Sequence, residues 1–69
     1  MKYRFLVTNR EGASGSFEWG CLYDSHAREM ASRIVDGIPY IQDVTIYRLL
    51  SKDSCGPIAY VDTVKRSDL

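Results

Sequence analysis

Asp24, Ser25 and His26 stand side by side in a chain of 69 residues that holds no other histidine. An acid, a hydroxyl and an imidazole are the parts of acyl-transfer chemistry, but a working triad gathers them in space with the nucleophile within reach of its base. Three neighbours just ahead of a helix read instead as its cap, with Asp24 or Ser25 accepting hydrogen bonds from the free first-turn amides. The nine carboxylates are spread evenly from Glu11 to Asp68. No pair is set apart for acid/base work or as a cation cage. Asp62, inside an otherwise apolar strand, reads as an edge-strand charge that deters aggregation. Gly12-Ala13-Ser14-Gly15 joins two strands rather than opening a helix, and it lacks the lysine of a phosphate loop. Cys21 falls in an aromatic-rich strand and reads as a small buried hydrophobe. Cys55 sits in a Ser-Lys-Asp-Ser-Cys-Gly-Pro turn and is expected at the surface, so no disulfide between the two is expected. With no CxxC or Cys/His cluster there is no zinc signature either. The expectation is a non-enzymatic protein without metal or cofactor.

Composition narrows the class further. Nine basic and nine acidic residues cancel and alternate along the chain, so no basic stripe offers itself to phosphates. Apolar residues make up 45% and aromatics 12%, which marks a folding chain rather than a disordered one. The length allows one domain. The apolar run near the N-terminus is too short for a signal peptide or a membrane span, and a reduced, cytoplasmic setting is expected.

The elements that must position these residues follow from periodicity. Lys2 to Asn9 alternates, with Tyr3, Phe5 and Val7 on one face and Arg4, Leu6 and Thr8 on the other, as in a half-buried strand. Ser16 to Tyr23 alternates again and forms a hairpin with the first strand, its polar tip carrying Arg10 and Glu11. From Asp24 to Gly37 the spacing changes: Ala27, Met30, Ala31, Ile34 and Val35 form one helical stripe, and Glu29–Arg33 is an i,i+4 ion pair in the favourable order. Gly37 suits the left-handed position after a helix, and Pro39 blocks continuation. About three turns are unstable alone in water, so the stripe is expected to dock on Phe5, Phe17 and Trp19. Asp43 to Leu50 and Ile58 to Val64 read as two further strands, joined by a turn at Ser51–Pro57. Residues 65–69 read as a fraying polar tail.

The order ββαββ predicts an α+β domain: a four-stranded, mainly antiparallel sheet in the order 2-1-3-4, with one helix on one face. A single helix covers a single face. The other is expected to show Leu6, Leu22, Tyr47 and Leu49 among Arg4, Glu18 and Thr45, joined by Tyr60 or Val61. An exposed apolar patch of this kind marks an interface when it is contiguous, closing either a homodimer or a site for a different protein. The hairpin tips, with Arg10 and Glu11 on one and Lys52 on the other, are a second route. A nucleic-acid surface would need Arg4, Arg48 and Lys52 to gather beside Tyr47.

The segment from Phe17 to Ala31, FEWGCLYDSHAREMA, resembles a pattern in small phage-encoded proteins. There a hairpin's second strand ends in an aromatic, then Ser or Thr, then a short helix, and a Val- or Ile-rich strand follows. The RNA polymerase inhibitor of a lytic coliphage and several anti-CRISPR proteins share this layout, and the likeness spans residues 3–50. It implies a non-enzymatic inhibitor that occupies a surface on a host complex, a Cas effector first and RNA polymerase second, inside the bacterial cytoplasm. The neutral charge departs from the basic anti-CRISPR type.

Overall fold

The structure, a computed structural model, describes residues 1–50 and 56–66. Expectations placed on Lys52, on Cys55 and on the chain beyond Arg66 lie outside those residues. Strands β1 (Lys2–Asn9) and β2 (Ser14–Gly20) precede helix α1 (Asp24–Gly37), and β3 (Ile41–Leu49) and β4 (Ile58–Lys65) follow it. The sheet order is β2-β1-β3-β4 with every neighbouring pair antiparallel. This is the expected ββαββ arrangement.

The core sits between β1, β3 and the helix. Tyr3, Phe5, Val44 and Ile46 pack from the sheet against Ala27, Ala31 and Val35 from α1, and Cys21 closes one end. The two buried alanines keep that helix face narrow, so the backbone can approach the sheet closely. The helix lies over β3 and β4. That placement corrects the expected docking on Phe17 and Trp19. Phe17 does stack on Phe5, with ring centroids 5.1 Å apart, but it stays 37% exposed and Trp19 56% exposed.

Both helix ends differ from the local signals. The N-cap is Tyr23, extended and without a side-chain cap bond. Asp24 is the first helical residue, and its carboxylate turns away from the first-turn amides. It accepts the Tyr3 hydroxyl at 2.6 Å and faces Arg48 Nη1 at 3.4 Å. At the other end Gly37 is not left-handed; among the described residues Gly12 alone has a positive φ. The chain leaves the helix through an extended Ile38, whose N–H donates to Ile34 O at 3.1 Å. Arg66 meets one carbonyl of the last turn and two just beyond it. Its guanidinium donates to Val35 O, to Ile38 O at 2.7 Å and to Ile41 O at 2.9 Å. Arg66 N–H also donates to Gln42 O at 2.9 Å, so the start of the expected fraying tail is anchored.

Strand limits shift as well. β2 stops at Gly20, because the pairing of Cys21 N–H with Met1 O uses up β1 and the chain then turns into the helix. Leu22 therefore lies outside the sheet, 72% exposed, rather than on its open face. Leu50, expected as the last residue of the third strand, lies beyond β3 and is exposed.

Candidate partner-binding surface

Two contacts fix which side of the sheet faces the helix. Arg48 reaches Asp24, and Asp62 pairs with Arg28 of the helix at 3.2 Å. The strand registers then arrange the opposite face in rows running from β2 to β4. One row reads Ser16, Leu6, Thr45, Thr63; the next reads Glu18, Arg4, Tyr47, Tyr60. The expected face thus assembles Arg4, Leu6, Tyr47 and Tyr60.

Its chemistry is mixed. Arg4 Nη2 meets Glu18 Oε2 at 3.2 Å, and the Thr45 and Thr63 hydroxyls lie 3.3 Å apart. Tyr47 and Tyr60 pack edge to face at 6.1 Å between centroids, and the Tyr60 hydroxyl lies 3.0 Å from Thr63 Oγ1. Leu6 and Tyr47 are half-buried, whereas Tyr60 is 62% exposed. Tyr60 takes this face and Val61 packs on the core, because a register irregularity between Ile46 and Tyr47 leaves Val61 unpaired at a bulge. A bulge of this kind turns consecutive residues to one side.

Leu49 is a correction. It keeps the parity of the open face but is only 7% exposed. The register seats it beside its cross-strand partner Ile58, where Leu50 N–H donates to Pro57 O at 3.0 Å and closes the hairpin. It offers no contact surface.

The basic cluster expected of a nucleic-acid site does not form around Tyr47. Arg4 and Arg48 project from opposite faces, and Arg48 is engaged by Asp24. At the first hairpin tip, Arg10 N–H donates to Tyr40 O at 3.2 Å, and Glu11 N–H to Asn9 Oδ1 at 2.9 Å. Both residues are exposed at the end of the sheet, away from the Tyr47–Tyr60 row.

A second surface lies on the helix side, where α1 leaves β2 uncovered. Trp19, His26, Glu29, Met30 and Arg33 line a groove of about 230 Å³ between helix and edge strand. Val7, Gly15, Phe17 and Ile41 line a wider hollow of about 430 Å³ farther along β2. Sequence alternation placed Phe17 and Trp19 on the inward side but did not show that the helix stops short of them. The signal available was the helix's small-residue stripe, too narrow to span four strands.

His26 takes its place in the groove beside Trp19 while the Asp24 carboxylate serves Tyr3 and Arg48, so the adjacent acid does not orient the imidazole. Burial, reinforced by the hydrogen bond to Asp24, pushes the Tyr3 hydroxyl up to about 12. Burial likewise raises the Cys21 thiol, a free cysteine inside the core. Among the described residues no group of three or more His, Cys, Asp or Glu side chains is placed to hold a metal ion. No helix there is long and apolar enough to cross a membrane. No family model, curated protein or solved structure matches this chain.

Proposed function

We propose that this chain is a non-enzymatic binding protein that inhibits a large host complex in the bacterial cytoplasm by docking the face of its sheet opposite the helix. The row Glu18, Arg4, Tyr47, Tyr60 carries this reading. It crosses the full width of the sheet on the face turned away from the helix, and it ends in an exposed tyrosine held by its neighbour. Tyrosine and arginine are the side chains that most often anchor protein interfaces. The Tyr47–Tyr60 contact orders the anchor before binding, which lowers the cost of immobilising it. The likeness to small phage inhibitors makes a Cas effector the first candidate partner and RNA polymerase the second.

The test is capture from bacterial lysate with tagged protein, followed by assay of the purified complex for target cleavage or transcription. Wild-type protein is expected to retain and inhibit one complex, and Tyr60→Ala to weaken binding by about 30-fold, the effect of a hot spot of about 2 kcal/mol. Binding should change little between about 50 and 200 mM salt, where phosphate-driven association falls steeply. A complex captured equally by Tyr60→Ala and by a Tyr47→Ala variant, or a steep salt dependence, overturns the reading.

A further inference from the structure

We infer that the free edge of β2 pairs with β2 of a second copy, making a two-fold dimer with one continuous antiparallel sheet of eight strands. The inference does not depend on the identity of any host partner. The hydrogen-bonding phase of the hairpin comes first. Cys21 N–H donates to Met1 O and Asn9 N–H to Ala13 O, both at 2.9 Å. The odd-numbered residues of β2 therefore bond to β1, and Ser14, Ser16, Glu18 and Gly20 turn their N–H and C=O groups outward. Such a row is a template for another strand unless something blocks it.

The two edges of the sheet are treated differently. β4 is interrupted by the bulge at Val61, carries the inward-facing Asp62 paired with Arg28, and ends in an exposed Lys65. Each of these deters strand addition. β2 has no proline, no lysine and no register shift, and its single charge, Glu18, is already matched by Arg4. The helix stands over β3 and β4, and on the β2 side its residues border only the groove at Trp19.

The occupant follows from self-complementarity. A two-fold axis through Phe17 pairs all of Ser14–Gly20, sets Ser16 opposite Glu18 and Ser14 opposite Gly20, and lets these outward-facing residues exchange bonds with their mates. Phe17 then meets its own copy at a non-hydrogen-bonded position, where side chains are closest. Trp19 falls opposite Gly15 of the second copy. Nothing lies within 4 Å of where a Cβ on Gly15 would stand. The hollow lined by Val7, Gly15, Phe17 and Ile41 is open at that point to receive an indole. An aromatic laid over an edge glycine is a known way to fix strand register. Sliding the register by two residues either sets Glu18 against its own copy or leaves the strand ends unpaired. A strand from an unrelated protein would need to bring its own aromatic to the same place, whereas this chain already carries one.

Sedimentation equilibrium from micromolar to millimolar concentration tests the inference, with the emission of Trp19, the chain's single tryptophan, read over the same range. Mass is expected to rise from 7.9 kDa to twice that value while the emission moves to shorter wavelength. Gly15→Val fills the seat of the indole without straining β2, since Gly15 is not left-handed. It should weaken association by about 30-fold, as expected for a hot spot, without lowering the urea midpoint of the dilute monomer. Trp19→Ala should also yield monomer, and Tyr60→Ala, on the other face, should leave the dimer intact. A chain that stays monomeric into the millimolar range overturns the inference. So does a dimer that survives both β2 variants or dissolves with Tyr60→Ala; the last result would assign self-association to the open face and count against the proposed docking role as well.

Discussion

Tyr3 and Asp24 show how a residue can be read correctly for its place and wrongly for its work. Alternation put Tyr3 in the core, and it is fully buried. A buried tyrosine hydroxyl needs a partner, and that requirement was the available hint that an acceptor must lie close. Asp24 satisfies it, so the position that looked like a helix cap ties β1 and β3 to the start of α1. The pH consequence has a definite sign. The folded hydroxyl titrates at about 12 against 10.0 in the open chain, so the protonated form is the one the fold favours. Its contribution is complete below pH 10 and is lost as pH rises from there toward about 12, because the unfolded chain ionises first. Thermal midpoints measured across that range should fall more steeply for wild type than for Tyr3→Phe, which cannot ionise at this position. Parallel slopes would show that the hydroxyl is not held as described.

At the scale of elements, the types and order of all the strands and of the helix were legible because alternation and the helical stripe are strong, local signals. The ends were not, because they are set by contacts between elements. The helix has no basic residue in its last turn and its glycine is not left-handed. The cation that meets Val35 O and the C-cap carbonyl of Ile38 arrives instead from the end of β4. Only the sheet order, which brings that end beside Ile41 and Gln42, makes Arg66 a helix cap. The positive charge there also complements the negative end of the helix dipole. Arg66→Ala should cost about 2 kcal/mol in urea unfolding, the range for charged hydrogen bonds to groups left unsatisfied. It should also speed hydrogen exchange at Ile38 N–H. Arg66→Lys should recover only part of the loss, since an ammonium lacks the planar fork that spans several carbonyls. An Arg66→Ala protein as stable as wild type would show that water serves these carbonyls equally well.

Across the whole molecule, the buried core and the exposed aromatics of β2 lie in different places. The buried cluster draws on β1, β3 and the helix, with Cys21 just after β2 and no residue from within that strand. β2 instead leaves its aromatics Phe17 and Trp19 partly exposed at the edge of the sheet. Part of the open face was legible from parity alone, since Leu6, Arg4 and Tyr47 fall where alternation put them. Leu22 and Leu49 did not follow, because one lies past the strand's end and the other is buried despite its parity. The uncovered side of β2 could not be read from parity, since it depends on where the helix sits across the sheet. This division predicts a separation of effects under substitution. Ile46→Ala removes a fully buried side chain at the centre of the sheet and should cost about 2–5 kcal/mol. Trp19→Ala removes the largest side chain in the protein, yet it should change the stability of the dilute monomer by only about 0.5 kcal/mol, as at a surface position. Urea unfolding followed by far-ultraviolet circular dichroism compares the two without relying on the indole as a probe. Equal losses would mean that Trp19 is a structural prop of the single copy, and the edge it marks would then have no surplus apolar surface to offer a second one.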